Sequence, residues 1–244
     1  MTIRFAGVAV FMLLAGCSRE GKSPVPSTGQ PISTETIVTP DGVTRTVKTY
    51  PHEEDEEDHP LGVQGSGDNF LGTARKAAKL SIASGTVTST TLCTFLQNLP
   101  TDTSMRSLNI PKGADSGRVK QEDFNASFKA FIYASSFPAD NDYHVILGDV
   151  SANPTCLLNV EVSGLPASTE PSFATLDNVR KAYKACMGSA LPSGGYKTYD
   201  PPLEVTIQGS GFFDVSHASG TIGPSGLKPA TAWELHPITG LSCP

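Results

Sequence analysis

Histidine and carboxylate side chains occur close together at three places in the C-terminal half of the sequence: 140–144 (DNDYH), 212–217 (FFDVSH) and 234–237 (ELHP). Such groups bind divalent metals, Zn²⁺ or Mn²⁺ in particular, and a bound metal can activate water for hydrolysis. They can instead stabilise a fold through buried charge-assisted hydrogen bonds. We predict that six of them form one cluster: Asp142, His144, Asp214, His217, Glu234 and His236. At this point a structural, a metal-binding and a hydrolytic role all stay open.

The spacing of apolar residues predicts the elements that position this cluster. Alternating apolar and polar residues indicate five strands. These lie at 128–133, 143–147, 157–162, 203–207 and 233–238. Residues 212–215 continue the fourth strand or start another. Between the third and fourth strands, apolar residues from Phe173 to Cys186 recur at helical spacing, after an expected cap at Ser168 or Thr169.

Three strands, a helix and two further strands is the element order of the oligonucleotide/oligosaccharide-binding (OB) fold, a small five-stranded barrel. We therefore predict a mainly β domain with one helix, an OB-like barrel, over residues 120–244, with an α+β sandwich as the alternative. Residues 70–119 are expected to pack against it, with a short helix at 74–82, a strand at 86–96 and a loop at 100–123. In so small a barrel the first hairpin and the last strand can meet, which would bring the six side chains together.

The three polar segments, read as Asp-x-Asp-x-His, Phe-Phe-Asp-x-x-His and Glu-Leu-His-Pro in this order, resemble a family of uncharacterised bacterial exported proteins. The resemblance covers about residues 124–240 and implies a shared fold and a shared polar site, without an activity or a substrate. It also leads us to expect a glutamate followed shortly by proline on the third strand. Here Glu161 is followed by Val-Ser-Gly, so the resemblance assigns Glu161 no role.

The N-terminus has the pattern of an export signal. Arg4 precedes an apolar run at 5–16, which is too short to span a bilayer as a permanent helix but typical of a signal peptide. The run ends in Leu-Ala-Gly-Cys17, which resembles the lipobox of bacterial lipoproteins. The resemblance implies that residues 1–16 are removed and that Cys17 carries lipid, palmitate included. Ser18, in place of aspartate, implies the outer membrane, with the protein facing the periplasm.

Residues 17–69 are rich in Ser, Thr, Pro, Gly and acidic residues and poor in large apolar ones. Such a segment buries too little surface to offset its chain entropy, so we predict a disordered acidic tether. Within it, six consecutive carboxylates at 53–58 stand between His52 and His59. A self-repelling, extended linker is the favoured interpretation of this run, ahead of weak cation binding.

Export to an oxidising compartment would allow the remaining cysteines to form disulfide bonds. Apart from Cys17 there are four, and four cysteines in an oxidising compartment can form two disulfides in three ways. None belongs to a CxxC pair, which disfavours zinc or redox chemistry at these positions. Cys156 precedes a predicted strand and Cys186 lies on the apolar face of the helix that follows. We therefore predict the bridges Cys156–Cys186 and Cys93–Cys243.

The charge of the chain is concentrated in the tether. Residues 18–70 hold 10 acidic and 4 basic side chains, whereas residues 71–244 hold 14 and 13. A nearly neutral domain is a poor candidate for tight nucleic-acid binding, which depends on phosphate neutralisation. The sequence also lacks a glycine-rich phosphate loop and a GxSxG elbow. It predicts a lipid-anchored binding or structural module of the cell envelope, with a metal-dependent hydrolase, acting on phosphodiesters, as the alternative.

Overall fold

The computed structural model describes residues 29–51 and 67–244. The predicted signal peptide, Cys17 and the acidic run lie outside these residues. The described residues form one eight-stranded sheet and four α-helices, which confirms the mainly β prediction. One α-helix lies in residues 120–244, where one was predicted, and three lie in residues 70–119, where only one short helix was expected. The strands are β1 (Ser33–Val38), β2 (Thr44–Thr49), β3 (Val87–Ser89), β4 (Asn125–Ser136), β5 (Tyr143–Gly148), β6 (Leu157–Val162), β7 (Lys197–Phe213) and β8 (Trp233–Ser242). The helices are α1 (Lys76–Lys79), α2 (Leu92–Gln97), α3 (Asp102–Arg106) and α4 (Phe173–Met187).

Five strands, β4 to β8, carry the polar segments. Antiparallel pairs join β4 to β5, β5 to β6, β7 to β8 and β4 to β7, while β6 and β8 pair in parallel. Each of these five strands therefore has two neighbours within the set. Their inward alternation of valine, leucine and isoleucine forms the main core, to which α4 adds Val179, Tyr183 and Met187. The helix begins at Phe173, later than the predicted cap, and ends at Gly188 with a positive φ.

The hairpin of β1 and β2 lies where composition predicts a disordered tether, so that prediction is wrong for residues 33–49. β2 pairs with the first residues of β7, and two alternate side chains of β2 are buried. Val47 joins the main core, and Arg45 bonds Asp41 and the carbonyl of Pro201. Buried and exposed residues alternate in β2, but this strand is short, and the composition of residues 17–69 as a whole is polar. The composition therefore did not predict the strand.

Residues 70–119 contact the five strands but differ in detail from the sequence prediction. α1 falls within the predicted short helix. Of the predicted strand at 86–96, only β3 is a strand, and it pairs in parallel with β4. The rest of that segment leads into helix α2. Helix α2 starts because Thr91 accepts a hydrogen bond from the Thr94 N–H, and Thr101 caps α3, inside the predicted loop, in the same way. Leu92 of α2 packs into the main core.

Two disulfides are present, which confirms their number, but the predicted pairing is wrong. The bridges are Cys93–Cys156 and Cys186–Cys243, with Cα–Cα distances of 5.5 and 6.0 Å. Helix α2 brings Cys93 to the turn between β5 and β6, beside Asp149. Helix α4 packs on β8, so its last turn meets the end of that strand. Among the described residues, no helix is long and apolar enough to cross a bilayer.

Candidate metal centre

The six predicted residues come from three neighbouring places in the sheet. Asp142 and His144 stand at the start of β5, Asp214 and His217 follow the end of β7, and Glu234 and His236 share one face of β8. Because β8 lies between β6 and β7, and β5 flanks β6, these places adjoin. All six residues are buried. The structure brings them into one region, directly or through two further residues of β6.

A first group, called here the inner triad, consists of Asp142, Glu161 and His236. One potential ligand atom from each lies within 4.8 Å of the others. His236 Nδ1 is 2.6 Å from Glu161 Oε2, and His236 Nε2 is 3.5 Å from Asp142 Oδ2. His144 approaches the same glutamate, with its Nε2 3.3 Å from Glu161 Oε1. All three members of the triad have no exposed surface.

A second group, the outer triad, consists of Asp214, His217 and Glu234, and its ligand atoms also lie within 4.8 Å of one another. His217 Nδ1 is 2.6 Å from Asp214 Oδ2. The Asp214 side chain also accepts a hydrogen bond from the Ser216 N–H, which fixes the turn after β7. The outer triad therefore depends on the local conformation of 214–217 and on β8.

Asn159 of β6 connects the two triads. Its Nδ2 donates to Glu161 Oε1 at 3.2 Å and to Glu234 Oε1 at 2.9 Å. This is possible because Asn159 stands opposite Glu234 in the parallel pairing of β6 with β8. Asn159 and Glu161 then share the face of β6 that meets the polar face of β8. All six predicted residues, with Asn159 and Glu161, form one buried polar cluster.

Several carboxylate oxygens of this cluster lack a hydrogen bond. Four buried oxygens accept no bond from the described residues that meets strict hydrogen-bond geometry: Asp142 Oδ2, Glu161 Oε2, Asp214 Oδ2 and Glu234 Oε2. Two of them nevertheless have an imidazole partner, because His236 Nδ1 lies 2.6 Å from Glu161 Oε2 and His217 Nδ1 lies 2.6 Å from Asp214 Oδ2. Buried polar atoms are nearly always hydrogen-bonded, because an unpaired one costs desolvation free energy. Carboxylate oxygens that converge with so few hydrogen-bond donors are an arrangement that a cation can complete.

Burial and mutual repulsion dominate the electrostatics. Burial, then the charges of Asp140 and Glu161, holds the pKa of Asp142 well above its usual range. Burial likewise raises the pKa of Glu234, with the charges of Glu161 and Asp214 adding to it. Carboxyl groups whose pKa is raised in this way lack sufficient positive charge nearby.

The histidines lower the pKa of the other two carboxyl groups, Glu161 and Asp214. Burial raises the pKa of Glu161, but the charges of His144 and His236 bring it well below its usual range. His217 lowers the pKa of Asp214 against the same effect of burial. Burial lowers the pKa of His236 itself. The cluster thus combines buried carboxylates with imidazoles that adjoin them, the donor set that Zn²⁺ and Mn²⁺ accept.

Sequence reasoning missed three residues of this region: Asn159, Glu161 and Lys79. The first two had a signal, since they alternate with the apolar Leu158, Val160 and Val162 and so share a face of β6. Lys79 of α1 is 1% exposed, and its charge lowers the pKa of carboxyl groups in both triads. Nothing in the sequence predicts that this lysine is buried, because it belongs to a four-residue helix outside the five strands.

Comparison with known proteins found no matching family model, no similar curated protein and no similar solved structure.

Proposed function

We propose that this protein is a lipid-anchored protein of the cell envelope whose OB-like domain binds a divalent metal ion, Zn²⁺ or Mn²⁺, at the inner triad. The lipobox-like segment at Cys17 supports the anchor, and Ser18 in place of aspartate supports an outer-membrane location facing the periplasm. The two disulfides support an oxidising compartment. The proposal has three parts, namely anchor, fold and metal, and each has its own support.

The OB-like description is supported by the pairing of β4 to β8. Three successive antiparallel strands, a helix, and two strands that return to both edges of the first three correspond to a five-stranded Greek-key barrel. The parallel contact of β6 with β8 is what brings Asn159 and Glu161 to the polar face of β8. The same strand order therefore accounts for both the fold and the position of the site.

The observation that carries the metal proposal is the inner triad itself. Three buried side chains converge within 4.8 Å, Asp142 Oδ2 accepts no hydrogen bond from the described residues, and Glu161 Oε2 lies 2.6 Å from His236 Nδ1, itself a potential metal ligand. A divalent cation would give these oxygens a partner and offset part of the negative charge. The Asn159 amide would then orient Glu161, as the hydrogen-bonded neighbours of metal ligands do.

Burial favours a binding module over the alternative hydrolase. No residue of the polar cluster is more than 7% exposed, so a phosphodiester would meet little of the inner triad. A hydrolytic metal site needs an open coordination position that substrate can reach. The nearly neutral domain gives no reason to expect tight binding of nucleic acid.

Metal content tests the binding site. The full chain is purified in detergent, loaded with Zn²⁺ or Mn²⁺, desalted and measured by inductively coupled plasma mass spectrometry. We expect at least one retained ion, with one ion fewer in Glu161→Gln and no loss in Glu204→Gln, whose carboxylate is partly exposed and paired with Lys129. If wild type retains no more metal than Glu161→Gln, the proposal is wrong. Melting of the wild type with and without metal gives a second readout that needs no variant.

Labelling tests the anchor. Radiolabelled palmitate should enter the wild-type chain and be absent from Cys17→Ser, which should also leave the membrane fraction. Equal labelling of the two chains would contradict lipidation at Cys17 without bearing on the metal site.

A further inference from the structure

We infer that the polar cluster holds two divalent metal ions, one in the inner triad of Asp142, Glu161 and His236 and a second in the outer triad of Asp214, His217 and Glu234. This inference rests on the proposed metal-binding function and deepens it. The two triads share no residue, and each offers two carboxylates and one imidazole. Each is therefore a separate donor set of the kind that binds Zn²⁺ or Mn²⁺.

The oxygens without hydrogen bonds are divided between the two triads. Asp142 Oδ2 and Glu161 Oε2 belong to the inner triad, and Asp214 Oδ2 and Glu234 Oε2 to the outer one. In each triad one of the two oxygens has a histidine Nδ1 at 2.6 Å, whereas Asp142 Oδ2 is 3.5 Å from His236 Nε2. A single ion in the inner triad would leave the outer pair as it is. Each triad therefore has carboxylate oxygens that a cation would partner, and one ion cannot serve both triads.

The charge of the region is compatible with a second ion. Four carboxylates belong to the triads, and Asp140 adds a fifth that acts on Asp142. Two cationic side chains act on the cluster, the buried Lys79 and the partly buried Arg118. Arg118 directs its hydrogen bonds to the carbonyls of Ser81, Gly211 and His236. These five carboxylates and two cations sum to a charge of −1 with one divalent ion and +1 with two, so charge does not decide between one ion and two.

The spacing along the strands predicts two neighbouring ions, not a tightly bridged pair. Glu234 and His236 are two residues apart on β8, and so are Asn159 and Glu161 on β6. Two residues of a strand span about 7 Å, whereas the metals of two-metal hydrolases lie about 3.5–4 Å apart. Asn159, bonded to a carboxylate of each triad, stands between the two positions.

The triads differ in access to solvent. The inner triad has no exposed surface, whereas His217 of the outer triad is 7% exposed. Asp214 and His217 also belong to the turn after β7 and not to a paired strand. We expect the outer ion to exchange with solvent and to be removed by a chelator before the inner one.

Counting bound ions tests the inference. Native mass spectrometry of the full chain in detergent, loaded with Zn²⁺ or Mn²⁺, should show two ions in wild type. One ion should remain in Asp214→Asn and one in Glu161→Gln, with two in Glu204→Gln. A chain in which the carboxylates at 53–58 become amides should still bind two, which excludes the acidic run as the source. Timed addition of EDTA should give a one-ion intermediate in wild type and in Glu204→Gln.

The outcomes separate the two proposals. One ion in wild type, unchanged by Asp214→Asn, would overturn the second site and leave the inner site in place. Loss of all metal from wild type would overturn both. If a variant fails to fold, titration of wild type with Co²⁺ gives the answer through its visible absorption. Two successive changes in the spectrum support two sites, and one change that saturates at a single equivalent contradicts the second.

Discussion

Two buried acidic regions of this protein are organised in opposite ways. Glu122, in the turn before β4, has no exposed surface, and each of its oxygens accepts two hydrogen bonds. Arg75 Nη1 and the Phe213 N–H donate to Oε1 at 2.7 and 2.9 Å. Arg75 Nη2 and the Val119 N–H donate to Oε2 at 2.7 and 2.9 Å. Glu122 is thus a carboxylate whose charge and hydrogen-bonding capacity are both met by the protein.

The polar cluster lies close to this pair, since Phe213 directly precedes Asp214, yet its carboxylates are not satisfied in the same way. Glu234 Oε1 accepts one hydrogen bond, from Asn159, and Glu234 Oε2 accepts none. The chain is therefore able to satisfy a buried carboxylate completely where its role is structural. This difference supports the proposed metal ions, which would supply what the protein donors do not.

The largest loss of stability is expected when the Glu122–Arg75 ion pair is broken. Glu122→Gln leaves Arg75 buried without its counter-charge, and breaking such a pair typically costs about 3–5 kcal/mol. Because no metal is involved there, the loss should be the same in EDTA and in excess Zn²⁺. Urea unfolding at both conditions measures it. A loss below about 1 kcal/mol, or one that Zn²⁺ restores, would remove the contrast between the two regions.

A metal-dependent effect is expected at the polar cluster. An ion present at 100 times its Kd stabilises the folded state by about 2.7 kcal/mol per site, so wild type should unfold at higher urea in Zn²⁺ or Mn²⁺ than in EDTA. Glu161→Gln and His236→Ala should lose the part of this difference that the inner site contributes. If the cluster is a purely structural network, His236→Ala should instead destabilise by about 1–3 kcal/mol, with no metal effect in wild type. Urea unfolding curves of the three chains, each measured in metal and in EDTA, distinguish these results.

The contrast also shows what the sequence could predict. Residues in the five strands alternate regularly, so β5 and β6 were predicted almost to the residue. That Asp142 shares a face with His144, and Glu234 with His236, followed from the same alternation. Glu161 was set aside because the resemblance placed a different sequence around it, although its position on β6 was correct.

Long-range pairing was harder to predict, because it depends on how elements pack and not on local pattern. The disulfide Cys186–Cys243 requires knowing that α4 packs along β8, and Cys93–Cys156 that residue 93 belongs to a helix. For the same reason, neither the burial of Lys79 nor the β1–β2 hairpin was predicted. Each is a polar segment that becomes ordered only through contacts with distant strands.

The smallest effect concerns a third acidic group, Asp41 of the β1–β2 hairpin, which is paired but more exposed than Glu122. Hydrogen bonds from Arg45, against a small opposing effect of burial, lower the pKa of Asp41 below its usual range. A depressed pKa stabilises the fold above the unfolded value of about 3.9 and loses that contribution as pH falls below it. Asp41→Asn should therefore destabilise by up to about 1 kcal/mol at pH 7, as partly exposed pairs do. The difference from wild type should shrink towards pH 3. Urea midpoints of both chains between pH 7 and pH 3 measure this, and Glu204→Gln is the control for an exposed pair. A constant difference across that range would show that Arg45 is held by Thr39 and the Pro201 carbonyl without help from the charge of Asp41.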